Sequence, residues 1–202
     1  MKKGLFMRFL TNKSMRFYLG FLAILLLTLG GSVVAAFADS GTNASVTINA
    51  GTLTETGPSS VQATAVTLNG NDQTTTYTLP LTVTDATGSG NGWNMTITST
   101  QFSDSHGHTL PTTASNILTA PSVVCQSTGN HCTAPINSIT YPLAVPAGKF
   151  AIEPTAVKFY NAVANSGLGI FAITPTVTIT IPASTLTGTY GSIVDVAIVS
   201  GP

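Results

Sequence analysis

The stretch Leu79–Phe102 reads LPLTVTDATGSGNGWNMTITSTQF, and it is the most informative part of the chain. Across Tyr77–Val83 apolar residues alternate with polar ones, which is the pattern of a strand buried on one face. Asp85 and a cluster of Gly, Ser and Asn residues then turn the chain, and the alternation resumes across Trp93–Ile97. The stretch predicts a β-hairpin with a long glycine-rich loop, in which the only Trp of the chain opens the returning strand.

The rest of the chain repeats this alternation in short runs. The further candidate strands are Val46–Ile48, Val61–Leu68, Ile136–Leu143, Phe150–Ile152, Val157–Phe159, Gly169–Ile173, Val177–Ile181 and Tyr190–Val199. Only Ala156–Asn165 offers room for a short helix as an alternative. Many short strands joined by turn-rich loops predict an all-β fold, namely a single β-sandwich or barrel-like domain.

The N-terminal residues have the parts of an export signal. A basic region is followed by an apolar core at Leu19–Leu29 and by the small-residue site Ala36-Phe37-Ala38. This order predicts cleavage between Ala38 and Asp39 and a secreted protein at the cell surface. An uncleaved anchor stays open as the alternative, because Phe17–Ala38 carries no charge and is about long enough to span a bilayer.

Cleavage there divides the chain into a signal peptide, residues 1–38, and one all-β domain, residues 39–202. Five of the seven basic residues lie in the signal, so the domain keeps only Lys149 and Lys158 against seven carboxylates, a net charge of −5. Two scattered cations provide no basic surface for nucleic acid. A glycan or protein partner would therefore be held by hydrogen bonds and packing.

The chain has two cysteines, Cys125 and Cys132. In an exported chain, a pair this close in sequence favours a disulfide that closes a loop. A metal or redox site that uses His131 is the alternative. Two thiols supply only half of a zinc site, and the spacing is not that of a redox C-x-x-C motif.

Trp93 has two interpretations. An exposed Trp can stack on a sugar ring or anchor an interface. Its alternation with Met95 and Ile97 instead places it on the face of the strand that should be core, and we favour that interpretation. Asp85, at the start of the turn, is expected to bond backbone groups rather than a ligand.

His106 and His108 flank Gly107, with Asp104 nearby. Two histidines around one glycine are a weak metal signal, since zinc sites use three or four protein ligands. We expect a solvated loop, with no metal and no cofactor. The sequence also has no Gly-x-Ser-x-Gly elbow and no pair of acids that can be nominated for glycoside hydrolysis. We therefore expect a protein that is not an enzyme.

The order of strand, Asp85, glycine-rich turn, Gly92-Trp93 and later Phe102 resembles the signature of the WxL surface-protein domain. Met95 stands where that family has Leu, a swap that conserves volume. The C-terminal half is similar as well, although the last strand lacks the second Trp that the family often carries there. The resemblance implies non-covalent attachment to the peptidoglycan of a Gram-positive-type cell wall, or to another surface protein, with Asp85, Gly92, Trp93 and Met95 as motif residues.

A self-assembling structural surface or matrix-fibre subunit, similar to camelysin, is the alternative function. Such subunits are also β-sandwiches with a signal peptide. Because the domain has two lysines, few of its edge strands can be protected from self-association by a cation. The Gly92-Trp93 block favours the WxL interpretation.

Overall fold

The structure, a computed structural model, describes residues 42–149 and 154–201. The strands described below all lie in one compact unit that begins at Ile48. The expected signal peptide, its cleavage after Ala38 and the candidate strand at residues 150–152 lie outside the described residues. Within the described part, no helix has the length and apolar character needed to cross a membrane.

The described residues form twelve strands and one short 3-10 turn at Thr128–Asn130, which confirms the all-β prediction. The strands are β1 (Leu53–Thr56), β2 (Gln73–Thr78), β3 (Leu81–Asp85), β4 (Trp93–Thr100), β5 (Ser115–Ile117), β6 (Ser122–Cys125), β7 (Leu143–Ala144), β8 (Ala147–Gly148), β9 (Val157–Ala162), β10 (Gly169–Thr174), β11 (Thr176–Ile181) and β12 (Val194–Ser200).

The first layer is built around a long antiparallel ribbon. β3 pairs with β10 and β2 pairs with β11, and the register of the two halves is the same. The ribbon is interrupted at Pro80 and Pro175, because proline has no N–H to give to a ladder. The N–H of Leu79 donates to the carbonyl oxygen of Pro175 at 3.0 Å and so links the two halves. The flanking strands β1 and β6 complete one half, and β5 and β7 the other.

The second layer has β4 at its centre. β12 and β9 run antiparallel to β4, and the two-residue β8 pairs with the end of β4 in parallel. Alternate side chains of β4, those of Trp93, Met95 and Ile97, are fully buried. This agrees with the alternation that the sequence shows over these residues.

Both layers send their apolar side chains into one core, so the domain is a β-sandwich. Most of the fully buried side chains of this core come from β3, β4, β5, β9, β10 and β11, and Val145 and Pro175 add two from between strands. The larger ones are Leu81, Val83, Trp93, Met95, Ile97, Ile117, Phe159, Phe171, Ile173 and Val177.

The predicted hairpin between Tyr77–Val83 and Trp93–Ile97 is wrong. β3 pairs with β1 and β10, whereas β4 pairs with β12, β8 and β9, so residues 86–92 carry the chain from one layer to the other. Both strands bury one face in the same core, but they do so from opposite sides. Alternation identifies the buried face of a strand and does not identify its hydrogen-bonding partner.

Four further expectations also differ from the structure. Residues 46–48, 61–68 and 136–142 form no strand, and the short helix considered at residues 156–165 is instead β9. β9 contains Val157, Phe159 and Tyr160 and pairs with β4, so tertiary pairing decides its conformation. β1, β5 and β6 are short and rich in Ser and Thr, and their alternation is too brief to be recognised in the sequence.

Candidate functional site

The indole of Trp93 is fully buried at the first position of β4. Its Nε1–H donates a hydrogen bond of 3.0 Å to the carbonyl oxygen of Gly167. Its ring centroid lies 5.9 Å from that of Tyr160 on β9. A buried indole N–H needs an acceptor, and the loop after β9 supplies it. The ring is therefore part of the core and is not available to stack on an external sugar.

Two glycines near this indole allow close packing, Gly92 against the facing backbone and Gly167 against the indole itself. Gly92 has φ +74°, and a Cβ there would lie 2.9 Å from the carbonyl carbon and oxygen of Val163. Gly167 has φ +75°, and a Cβ there would lie 2.6 Å from Trp93 Nε1. Both glycines have a positive φ, which L side chains rarely adopt, and each lies so close to its neighbours that a side chain would collide with them. The Gly92-Trp93 pair is thus a packing unit, in which glycine admits the facing backbone and Trp fills the core.

The disulfide segment supports the same loop from its other side. Cys125 and Cys132 are bonded, with their Cα atoms 6.0 Å apart, as the sequence favours. The next residue, Thr133, accepts a 2.8 Å hydrogen bond from the N–H of Gly167 and donates one of 2.9 Å to the carbonyl of Leu168. The disulfide therefore anchors the segment that positions the acceptor of the indole N–H.

The other motif residues also have structural surroundings. Asp85 ends β3, and its Oδ1 accepts hydrogen bonds from the N–H of Thr87 at 3.0 Å and from the Thr87 hydroxyl at 2.7 Å. This is the turn-stabilising role expected of an Asp at a strand end. Met95 is fully buried between Tyr160 of β9 and Ile198 of β12. The motif residues thus form part of the core and a turn of the sandwich. An external ligand would therefore have to bind at another surface.

A groove of about 740 Å³ provides such a surface. Its floor includes the buried side chains of Tyr77 on β2 and Ile179 on β11. One wall is residues 61–68, and the other is residues 185–192. The volume lies within the range of small-molecule binding sites, about 300–1,000 Å³. No local pattern in the sequence indicates this groove.

Hydrogen bonds from β2 side chains hold one wall of the groove, and a bond within the other wall holds that one. The Thr75 hydroxyl donates to the carbonyl of Thr64 at 2.6 Å, and Gln73 Nε2 donates to the carbonyl of Thr67 at 2.9 Å. These bonds tether residues 61–68 without making them a strand. In the opposite wall, the Tyr190 hydroxyl donates to the carbonyl of Leu186 at 3.0 Å. The groove is therefore bounded by segments with defined hydrogen bonds.

The chemistry of the groove is mixed. Half-buried Phe102 and Tyr190 give it aromatic surface. Burial raises the pKa of Tyr77 from 10.0 to about 12, so its hydroxyl stays uncharged well above neutral pH. Many other lining residues carry hydroxyl groups, namely Thr64, Thr67, Thr75, Thr185, Thr187, Thr189 and Ser192. This combination suits an uncharged ligand with both apolar faces and hydroxyls.

A second group of polar side chains lies in the loop after Phe102. Asp104 Oδ2 lies 2.8 Å from His108 Nδ1 and 3.6 Å from His106 Nδ1. Desolvation acts to raise the pKa of Asp104. Hydrogen bonds from the His108 side chain and from the backbone of both histidines outweigh it and lower the pKa to about 2. The sequence shows the spacing Asp-x-His-x-His, but it does not predict that the three side chains converge.

The described residues thus form a β-sandwich with a buried Trp motif and an open groove lined by hydroxyl groups and aromatic rings. The chain belongs to the WxL family, whose sequence model, described as WxL domain surface cell wall-binding, matches residues 38–190. The family resemblance drawn from residues 79–102 is thereby confirmed. No curated protein and no solved structure shows significant similarity to the chain.

Proposed function

We propose that this chain is exported, cleaved after Ala38, and held on the cell wall non-covalently by binding peptidoglycan glycan in the groove between residues 61–68 and 185–192. The family is described as cell wall-binding, and that description supports the location. The observation that carries the proposal is the groove itself, because the motif Trp93 is buried and offers no surface to a ligand.

The groove matches the chemistry of a glycan chain. A pyranose ring has an apolar face of C–H groups, which packs on aromatic rings such as those of Phe102 and Tyr190. Its hydroxyls both donate and accept hydrogen bonds, and threonine hydroxyls can do the same. Polar groups set in a mostly apolar concavity are the usual composition of such a site.

Charge contributes little to this mode of binding. Lys149 and Lys158 are the only lysines among the described residues, both are exposed, and neither lines the groove. Exposed charges are screened beyond about 10 Å at 0.1 M salt. Wall association should therefore persist from low to molar salt.

Co-sedimentation with isolated cell walls that have been stripped of anionic polymers tests the proposal. The variant is Leu186→Asp, which places a charge in the wall of the groove at a side chain that is 56% exposed. The matched control is Leu118→Asp, at a side chain that is 52% exposed and does not line the groove. Loss of one apolar contact of about 1.4 kcal/mol weakens binding about tenfold.

We expect Leu186→Asp to lower the affinity for walls about tenfold, while Leu118→Asp binds like the parent. If the two variants bound walls equally well, the binding site would lie outside the groove. Complete release in molar salt would identify a charge-based interaction instead. Filaments formed by the protein alone, together with no sedimentation with walls, would favour the self-assembling alternative.

A further inference from the structure

Three side chains with metal-binding atoms converge in the loop between Ser103 and Thr109. They are Asp104, His106 and His108, and one ligand atom from each lies within 4.8 Å of the other two. The rings of the two histidines are roughly parallel, with their centroids 6.0 Å apart. An isolated β-bridge between Ser103 and Thr109 closes the base of the loop.

The backbone fixes the carboxylate of Asp104 in this loop. Its Oδ1 accepts hydrogen bonds from the N–H groups of His106 at 2.9 Å and His108 at 2.8 Å. Its Oδ2 is directed toward the two imidazoles, at 2.8 Å from His108 Nδ1 and 3.6 Å from His106 Nδ1. One oxygen therefore organises the loop, and the other faces the Nδ1 atoms of two imidazoles.

The spacing of these atoms is close to that of a coordination shell. Zn–N and Zn–O bonds of about 2.1 Å in a tetrahedral site separate neighbouring ligand atoms by about 3.4 Å. The observed separations are 2.8 Å and 3.6 Å from Oδ2 and at most 4.8 Å overall. The His106 side chain is 76% exposed, so its ring can rotate to shorten the longest separation.

The surroundings favour a cation. A Cβ on Gly188 would lie 3.0 Å from Asp104 Oδ2, so the glycine keeps bulk away from the carboxylate. The described residues carry five carboxylates and two lysines, a balance that attracts positive ions. A donor set of two imidazoles and one carboxylate is selective for Zn²⁺ and its transition-metal neighbours over Mg²⁺ or Ca²⁺.

In place of the metal-free loop expected from the sequence, the geometry points to a divalent transition-metal site of the Zn²⁺ class, with Asp104, His106 and His108 as its three protein ligands. The fourth tetrahedral position is left for water or an external ligand. Gly188 also borders the groove, so the bound ion would stand at its rim. Zn²⁺ binding by this loop does not require that the groove bind a glycan.

Calorimetric titration of Zn²⁺ into the protein purified in its exported form tests this inference. The informative variant is Asp104→Asn, because the amide oxygen can still accept the two backbone N–H bonds while the charged ligand oxygen is lost. His108→Ala removes a second ligand. The control is His131→Ala, which removes the third histidine of the chain and lies outside the cluster.

We expect one Zn²⁺ per chain, no comparable binding of Mg²⁺, and affinity at least about tenfold lower in both cluster variants. His131→Ala should bind like the parent, and Zn²⁺ should shift the NMR ring signals of His106 and His108 but not those of His131. No Zn²⁺ binding, or equal binding by Asp104→Asn, His108→Ala and the parent, would overturn the inference. Binding lost in His131→Ala would also overturn it.

Discussion

Trp93→Ala should unfold the domain rather than remove a binding surface. The side chain is fully buried, and truncation of a buried Trp costs about 3–5 kcal/mol. The change also leaves the carbonyl oxygen of Gly167 without its donor, a further cost of about 1–3 kcal/mol for a buried acceptor. Against a total stability of about 5–15 kcal/mol, this is a large loss.

For a domain of about 150 residues, the truncation alone, at about 3–5 kcal/mol, corresponds to a fall in Tm of roughly 6–20 °C, and the unpaired Gly167 carbonyl adds to that fall. Thermal melts followed by circular dichroism measure this shift, and wall co-sedimentation below the new Tm measures binding by the folded fraction. Met95→Leu is the control, because it replaces another buried side chain on the same face with one of similar volume and should cost less than about 1.5 kcal/mol. A Trp93→Ala protein with an unchanged Tm and no wall binding would refute the reasoning.

The remaining predictions concern the glycine-rich turn before β4, the disulfide, and the loss of stability at alkaline pH. Gly88→Ala, with φ +64° and open space, should cost only about 1–2 kcal/mol of left-handed strain. Gly92→Ala should cost more than that, because φ is +74° and the added Cβ also collides with the facing backbone; equal losses in chemical denaturation would contradict this. Replacement of Cys125 and Cys132 by Ala should cost about 2–4 kcal/mol, and an unchanged denaturation midpoint would argue against a structural disulfide. Burial raises the pKa of Tyr77 from 10.0 to about 12, so its contribution to stability is complete below pH 10 and is lost as the pH rises toward 12. Alkaline melts should show that loss, and a Tyr77 hydroxyl that titrates near its ordinary pKa in the folded protein would contradict it.

The sequence was sufficient for the all-β class, the disulfide and the buried face of β4. Each of these follows from local information: alternation along one strand, the spacing of two cysteines, and the residues that share one face. The partners of β3 and β4 were not predictable in this way, because pairing across a sandwich depends on which strands meet after collapse. The expected hairpin was therefore wrong although both of its strands exist.

The groove and the Asp104 cluster show the same limit. Residues 61–68 and 185–192 are more than 100 positions apart, and only the pairing of β2 with β11 brings them to one surface. The Asp-x-His-x-His spacing can be read from the sequence. The distances between the three side chains cannot, because they depend on hydrogen bonds from the backbone to Asp104 Oδ1. Gly167, the acceptor for the indole, lies far from Trp93 in sequence and has no local signal.

Hydrogen exchange of the backbone amides, measured with and without soluble peptidoglycan fragments, tests most directly where the wall binds. The groove mechanism predicts slower exchange in residues 61–68 and 185–192 when the glycan is present, and unchanged exchange at Trp93 and in residues 161–169. Protection confined to the Trp93 strand and residues 161–169, with none along the groove, would contradict the conclusion that the Trp motif builds the fold while the groove binds the wall.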